Sequence, residues 1–373
     1  MKKVLATILA LVMALGLTTM AWADDVAKIG GTGYATLKEA IEHVANGETI
    51  VLTADVNNGD GIVVTSGKNF TLDFAGHTYT ITQNVVGSTG TENQCFQLLK
   101  DSTITMKDGA IVANCTGALM IIQNYCNLTL DNMKLDATAG NNNVGYVVSN
   151  NCGNVVIKNG TTITAKTTGV AFDVYGGFRD YGDVSVTLEA GATVNGKVEV
   201  ARDTGTQNKN TLTVTGGTVN GELVVTENEK TEVSVTGGTF SSDVSAYAPE
   251  GTPVAMVGND YAVGSSAISA AANGGKTVIV VKAGPINGVD AGKSITVNRN
   301  VTGVVTVNGN TVTAGTSYTV PARYYYYNST TTDTKTTDTK GSPKTFDAGI
   351  ALYVGMALTS AAGVAFVGKK RED

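Results

Sequence analysis

A short pattern of alternating apolar residues recurs along the middle of the chain and constrains its fold more than any other feature. The segments 212–219 (LTVTGGTV) and 233–240 (VSVTGGTF) are clear copies, with two alternating apolar residues, a glycine and a further apolar residue. Related copies begin at Ile104, Leu128, Val155 and Val186. The Leu128 copy lacks the glycine, and segment 72–76 (LDFAG) has it one place early. Successive copies lie roughly 21 to 31 residues apart.

This pattern predicts an all-β solenoid. Alternation directs every second side chain to one face of a strand. A single coil cannot bury its apolar row, whereas stacked coils can. The unequal spacing favours a parallel β-helix, because the loops between its strands vary in length. An array of immunoglobulin-like sandwiches is the alternative, and it would need antiparallel hairpins and longer repeats.

The ends of a solenoid must be covered, and the sequence offers a helix for the first end. Thr36 and Glu39 have the spacing of a capping box. An apolar helical stripe follows, formed by Leu37, Ala40, Ile41 and Val44. An Asn-Gly pair then ends the helix. We therefore predict an amphipathic lid at about residues 34–47, within a parallel β-helix over residues 24–263.

The same unit of helix and strand recurs later in the chain. Segment 267–274 (AISAAANG), followed by 276–280 (KTVIV), repeats the pattern of the first lid and its strand. We predict that this second copy begins a small β-region over residues 264–321.

Three parts of the chain together resemble a family of bacterial surface proteins that carry a pectate-lyase-like β-helix. These parts are segment 34–56 (YATLKEAIEHVANGETIVLTADV), the Gly-Gly-Thr coils, and segment 237–247 (GGTFSSDVSAY). The resemblance covers roughly residues 28–263. It implies a right-handed parallel β-helix with an adhesive role.

The first residues have the order of a secretory signal peptide. Two lysines precede an apolar run at residues 4–17, and small residues follow at Ala21 and Ala23. A retained membrane anchor is the alternative, although the apolar run is short for one. We predict a signal peptide over residues 1–23 and a mature chain that begins at Asp24.

The other end of the chain has three parts. A polar, Thr-rich stretch at residues 322–341 predicts an extended linker. The region 342–373 then contains an uncharged segment of about twenty residues at 348–367, long enough for a membrane-spanning helix. The basic residues after it favour the cytoplasmic side. This order alone would also fit a plain tail anchor.

A tetrapeptide before the apolar segment makes this end resemble the cell-wall sorting signal of Gram-positive surface proteins. Its residues are Ser342, Pro343, Lys344 and Thr345. In that family the transpeptidase sortase attacks the threonine carbonyl and transfers the chain to peptidoglycan. The resemblance implies attachment at Thr345, a cell-wall location, and sortase and peptidoglycan as partners. The usual pattern has Leu and Gly where this chain has Ser342 and Phe346, so the class of sortase stays open.

Segment 171–183 (AFDVYGGFRDYGD) is the strongest candidate for ligand binding. It combines flat aromatic side chains with hydrogen-bonding groups, as a sugar site requires. The candidate residues are Asp173, Tyr175, Phe178, Arg179, Asp180, Tyr181 and Asp183. Arg202 and Asp203 are expected near them on the next coil. The alternative is a longer loop between coils, held by its own salt bridges.

Cys126 and Cys152 stand at similar places before the copies at Leu128 and Val155. Stacked strands are about 4.8 Å apart, a Cα separation that a disulfide tolerates. A Cys126–Cys152 disulfide and a ladder of buried free thiols explain this spacing equally well.

Charge and residue types limit the function. The net charge is −6 and no basic patch offers a phosphate footprint, so nucleic acid is not an expected partner. The sequence has only two histidines and no evident cluster of carboxylates, so it offers no candidate catalytic centre. We expect no metal, no cofactor and no enzyme activity. The leading hypothesis is an adhesin-like wall protein that binds glycan or a surface protein. A polysaccharide lyase or hydrolase and a passive stalk are the alternatives.

Overall fold

The computed structural model describes residues 25–322. The predicted signal peptide, the linker after residue 322 and the sorting signal lie outside the described residues. Strands dominate the part that is described. It also contains the helices α1 (Leu37–His43) and α2 (Gly264–Asn273) and a 3₁₀-helix at Ser245–Tyr247.

Short strands follow one another up to residue 240. They are β1 (Ala27–Ile29), β2 (Thr32–Tyr34), β3 (Thr49–Leu52), β4 (Val56–Gly59), β5 (Ile62–Val64), β6 (Asn69–Asp73), β7 (Thr78–Ile81), β8 (Gln94–Leu98), β9 (Thr103–Ala113), β10 (Met120–Asn124), β11 (Asn127–Asp136), β12 (Tyr146–Asn150), β13 (Gly153–Ile157), β14 (Thr162–Thr164), β15 (Val170–Val174), β16 (Val184–Leu188), β17 (Thr193–Asn195), β18 (Lys197–Val200), β19 (Asn210–Val214), β20 (Thr218–Asn220), β21 (Leu223–Val225), β22 (Thr231–Val235) and β23 (Gly238–Phe240).

These strands form three stacks, each built from parallel pairs. Stack 1 contains β3, β6, the first part of β9, the first part of β11, β13, β16, β19 and β22. Stack 2 contains β4, β7, the later parts of β9 and β11, β14, β17, β20 and β23. Stack 3 contains β5, β8, β10, β12, β15, β18 and β21.

The chain visits stacks 1, 2 and 3 in turn and then returns to stack 1, one strand further along. We call each such pass a coil. The all-β, solenoid-like fold predicted from the repeats is confirmed by this order. Long parallel ladders are not the antiparallel hairpins of an immunoglobulin-like array, so that alternative is wrong.

The register of stack 1 aligns the predicted repeats. Their first apolar residues pair in one row, made of Ile104, Leu128, Val155, Val186, Leu212 and Val233. The second apolar residues form a buried row of Ile50, Leu72, Met106, Leu130, Ile157, Leu188, Val214 and Val235. Because Phe70, not Leu72, pairs with Ile104, the early copy begins at Phe70 and its glycine comes one place late.

Helix α1 lies over the first coil, where lid residues were predicted. The Thr36 side chain accepts a hydrogen bond from the Glu39 amide at 3.1 Å. Leu37, Ala40 and Ile41 are buried. The helix is shorter than the predicted 34–47, because Tyr34 belongs to β2, Thr36 is the N-cap with extended backbone, and Val44 is extended again at φ −63° and ψ 129°.

The remaining strands follow the last coil. They are β24 (Val254–Val257), β25 (Asp260–Val263), β26 (Val278–Lys282), β27 (Pro285–Ile286), β28 (Ser294–Val297), β29 (Val305–Val307), β30 (Asn310–Val312) and β31 (Ser317–Thr319). A second apolar core gathers here and begins at Ala255. Strand β25 pairs with β23, and β24 pairs with β26, so the sheet continues across residue 263, where the β-helix was predicted to end.

Gly153, at the start of β13, offers a test of how closely the coils pack. Its φ is +84°, and a Cβ there would lie 2.4 Å from the Cys126 carbonyl oxygen of the preceding coil. Gly67 has φ +80° but open space around it. Both changes to alanine place a side chain in left-handed backbone, which costs about 1 kcal/mol. We expect Gly153→Ala to lower the free energy of unfolding by about 1–3 kcal/mol more than Gly67→Ala.

Urea unfolding of the full chain measures both values. Equal losses for the two variants would contradict this packing of one coil against the next.

Candidate functional site

A row of polar side chains runs along stack 3 on the side opposite its apolar row. Its members are Gln97, Gln123, Ser149, Asp173 and Glu199. A residue on the outer side of a sheet is ordinarily exposed, yet Gln97, Ser149 and Asp173 are buried. Side chains and a loop from neighbouring coils therefore cover this row.

Asp173 belongs to the covered row, and 2 % of its surface is exposed. Its Oδ1 accepts a hydrogen bond from the Asn150 amide at 2.6 Å, and its Oδ2 accepts one from Ser149 Oγ at 3.2 Å. Arg202 Nη2 is 3.4 Å from the same Oδ2. Burial raises the pKa of Asp173 to about 7, against the opposing effects of these three partners and with a smaller contribution from the Glu199 charge.

Glu199 is the direct neighbour of Asp173 on the next coil, because β15 and β18 pair in register at these residues. Its Oε2 accepts a hydrogen bond from the Tyr146 hydroxyl at 3.3 Å, and its Oε1 accepts one from Lys197 Nζ at 3.0 Å. Parallel strands are about 4.8 Å apart, so two carboxyl groups stand side by side. Sequence reasoning missed Glu199 and Tyr146; the register of the coils was the signal that could have found them.

Arg202 connects the Asp173 carboxyl group to two aromatic rings. Its guanidinium carbon lies 5.2 Å from the ring centroid of Tyr146 and 4.8 Å from that of Tyr175. Both separations are in the range of a cation–π contact. The Tyr175 hydroxyl donates to Asp203 Oδ2 at 3.1 Å. The prediction that Arg202 and Asp203 lie beside Tyr175 is confirmed by these contacts.

Four aromatic rings gather at the edge of the same surface. Tyr181 lies 4.8 Å from Tyr125 and 5.7 Å from Phe178, measured between ring centroids. Phe178 is also 6.1 Å from Tyr125 and 6.4 Å from Tyr175. Phe178 is 43 % exposed, so an apolar ring faces solvent above this cluster. Tyr125, which belongs to an earlier coil, was not predicted.

The loop at residues 175–183 carries three of these rings and is held along both sides. Asn208 Nδ2 donates to the Phe178 carbonyl at 2.7 Å, and Arg179 Nη2 donates to Gln207 Oε1 at 3.3 Å. Lys100 Nζ donates to the Asp180 carbonyl at 2.8 Å, although Lys100 follows β8, three coils earlier. The loop therefore folds back along the solenoid.

The predicted residues fall into two groups. Asp173, Tyr175, Phe178 and Tyr181 come together around Arg202, and we call these five residues with Tyr125, Tyr146 and Glu199 the Arg202 cluster. The other three lie on the rim. Arg179 and Asp180 are exposed, and Asp183 Oδ1 accepts a hydrogen bond from the Lys209 amide at 2.8 Å. These contacts stabilise the conformation of the loop itself.

Cys126 and Cys152 are free thiols and do not form the disulfide considered above. The register that pairs Leu128 with Val155 places Gly153, not Cys152, beside Cys126. A shift of one residue turns the side chain to the other face. Cys126 Sγ contacts Asn124 Oδ1 at 3.2 Å, while Cys152 Sγ contacts the Tyr181 carbonyl at 2.7 Å.

Neither protein-family models, nor curated proteins, nor solved structures give a match to this chain. Between residues 25 and 322, no group of three or more His, Cys, Asp and Glu side chains is arranged to hold a metal ion. In the same residues, no helix has the length and apolar character needed to cross a membrane.

The buried carboxyl of Asp173 predicts a pH-dependent stability. The pKa of about 7 in the folded chain exceeds the ordinary value of 3.8, so folding binds a proton between these pH values. The free energy of unfolding then falls as the pH rises from about 4 to about 7. Asp173→Asn has no carboxyl group to titrate and so avoids this fall in stability. We expect the free energy of unfolding of Asp173→Asn, minus that of the unchanged chain, to increase by up to about 4 kcal/mol as the pH rises over that range.

Urea unfolding at several pH values measures this difference. Asp203→Asn serves as the control, because it makes the same change at an exposed carboxyl group that contacts Tyr175. A stability difference for Asp173→Asn that is the same at pH 4 and pH 8 would rule out the burial effect.

Proposed function

We propose that the three stacks close into a right-handed parallel β-helix, and that this protein is a wall-attached surface protein that binds glycan through the Arg202 cluster. The Arg202 guanidinium between Tyr146 and Tyr175, beside the exposed ring of Phe178, is the observation that carries the proposal. Flat faces and charged hydrogen-bonding groups meet there on one surface.

The chemistry of a sugar suits this surface. Its C–H faces pack on aromatic rings, and its hydroxyl groups donate to carboxylates and accept from guanidinium groups. Tyr175 and Phe178 offer rings, while Glu199 and Asp203 offer carboxylate oxygens. Because the loop at 175–183 is tied to Asn208 on the next coil and to Lys100 three coils earlier, little ordering of side chains is needed on binding.

Attachment to the wall rests on the sequence outside the described residues. In this proposal the apolar segment 348–367 and the basic residues after it hold the chain in the membrane until sortase acts at Thr345. Peptidoglycan then receives the chain, and the linker at 322–341 carries the β-helix away from the wall.

Glycan binding can be tested with a matched pair of variants. Phe178 and Leu119 are each 43 % exposed, but Leu119 is not part of the Arg202 cluster. We expect Phe178→Ala and Tyr175→Ala to weaken retention on a bound polysaccharide about tenfold, the loss of roughly one aromatic stacking contact. Leu119→Ala should leave retention unchanged. The measurement is affinity electrophoresis of the full chain in a panel of plant, mucin and bacterial polysaccharides.

Retention on none of these polysaccharides would favour a protein ligand or the passive stalk. Equal weakening by Leu119→Ala would place the binding surface elsewhere.

Wall attachment can be tested separately in a Gram-positive host that carries sortase. We expect Thr345→Ala to remove the chain from the cell-wall fraction released by a muramidase, because the tetrapeptide at 342–345 would lose the threonine by which it resembles a sorting signal. The control is Thr339→Ala, in the linker, which should leave the chain in the wall. Undiminished wall attachment of Thr345→Ala would exclude Thr345 as the linked residue.

Polysaccharide cleavage is a second candidate function, favoured by the pairing of Asp173 with Glu199 on adjacent coils. Retaining glycoside hydrolases use two carboxyl groups about 5 Å apart as acid and nucleophile, and residues paired on adjacent strands can supply such a pair. A raised pKa suits the acid, but Arg202 would have to move before a sugar reached Asp173. New reducing ends or unsaturated products that form with Ca²⁺ and polysaccharide, and that Glu199→Gln abolishes, would support cleavage over binding alone.

A further inference from the structure

The segment that enters β10 passes directly over the start of β8. The amides of Leu119 and Met120 both donate to the Asn93 carbonyl, at 2.8 and 3.2 Å. Met120 then pairs with Gln94 as the two strands run on in parallel. Because Cys95 follows Gln94 in β8, the turn before β10 lies beside Cys95.

Cys115 begins that turn. The Ala118 amide donates to the Cys115 carbonyl at 3.1 Å, which folds the turn back toward β8. Cys95 is fully buried in the main apolar core, and Cys115 is partly buried and packs against that core. The two thiols are near enough to shift each other's pKa. Two cysteines from successive coils therefore meet, and they are not the pair expected from sequence spacing.

The two thiols differ in character. The contact with Cys95 holds the pKa of Cys115 below its ordinary value, while the same contact and burial raise the pKa of Cys95. Cys115 is also the more accessible of the two. Since the thiolate is the nucleophile in thiol–disulfide exchange, Cys115 is the residue that reacts first.

We propose that Cys95 and Cys115 form an intramolecular disulfide when the folded chain meets a small disulfide oxidant. It would link β8 to the turn before β10 and fasten one coil to the next. This inference does not depend on glycan binding.

The reaction proceeds in two exchanges. The Cys115 thiolate attacks one sulfur of the oxidant, and the first reduced thiol leaves. Cys95 gives up its proton and attacks the Cys115 sulfur, and the second reduced thiol leaves with that proton. The protein loses two electrons and two hydrogen atoms in total, which the oxidant gains as it becomes two thiols.

The experiment uses the full chain, reduced and then equilibrated with glutathione disulfide at increasing ratios to glutathione. Thiols are counted by maleimide mass tagging after denaturation. We expect the count to fall from four to two in one step. Trypsin places Cys95 in peptide 69–100, Cys115 and Cys126 in 108–134, and Cys152 in 135–158. The expected product links 69–100 to 108–134.

Two serine variants decide which cysteine of peptide 108–134 takes part. Cys126→Ser should keep the link, and Cys115→Ser should lose it. The inference is overturned if four thiols remain at every ratio, if 108–134 links to 135–158 instead, or if Cys115→Ser retains the link to 69–100. Circular dichroism of each variant before oxidation establishes that the comparison is between folded chains.

Discussion

The in-register pairing of each strand with the strand one coil later is the constraint on which the rest of this molecule depends. It places Leu130 beside Ile157 and repeats that contact between every pair of neighbouring coils in stack 1. The backbone hydrogen bonds and the apolar row support each other, because a slip by one residue would turn every buried side chain outward. The loops can then vary in length without disturbing the core.

The same register builds the Arg202 cluster. A polar row on the outer side of stack 3 would be solvated if it stood alone, but Arg202, the tyrosines and the loop at 175–183 exclude water from it. Asp173 is consequently held as a buried carboxyl beside Glu199. Charged and aromatic side chains therefore meet because the in-register pairing of the strands brings distant parts of the chain side by side.

The sequence predicted the coils well, since alternation and turn residues are local signals. Even the missing glycine of the Leu128 copy has a local reason: Asn132, one place before the glycine position, takes the left-handed backbone of the turn with φ 54°. The partners across coils were harder to predict. Glu199 meets Asp173 only after an irregularity in the pairing between β15 and β18, and a one-residue offset separates Cys126 from Cys152. The lengths of the loops between coils determine which residues pair, and the periodicity of the sequence does not show this pairing.

The bond from Lys100 to the loop at Asp180 has a consequence for how such a protein can change over generations. Solenoids lengthen and shorten by gaining or losing whole coils, because each coil touches only its neighbours. Here the loop at 175–183 reaches back to Lys100, three coils earlier. A coil gained or lost between Lys100 and Asp180 would move these two residues out of hydrogen-bonding distance. The coils between Lys100 and Asp180 are thus expected to be inherited as one block, whereas coils on either side of this block can be gained or lost.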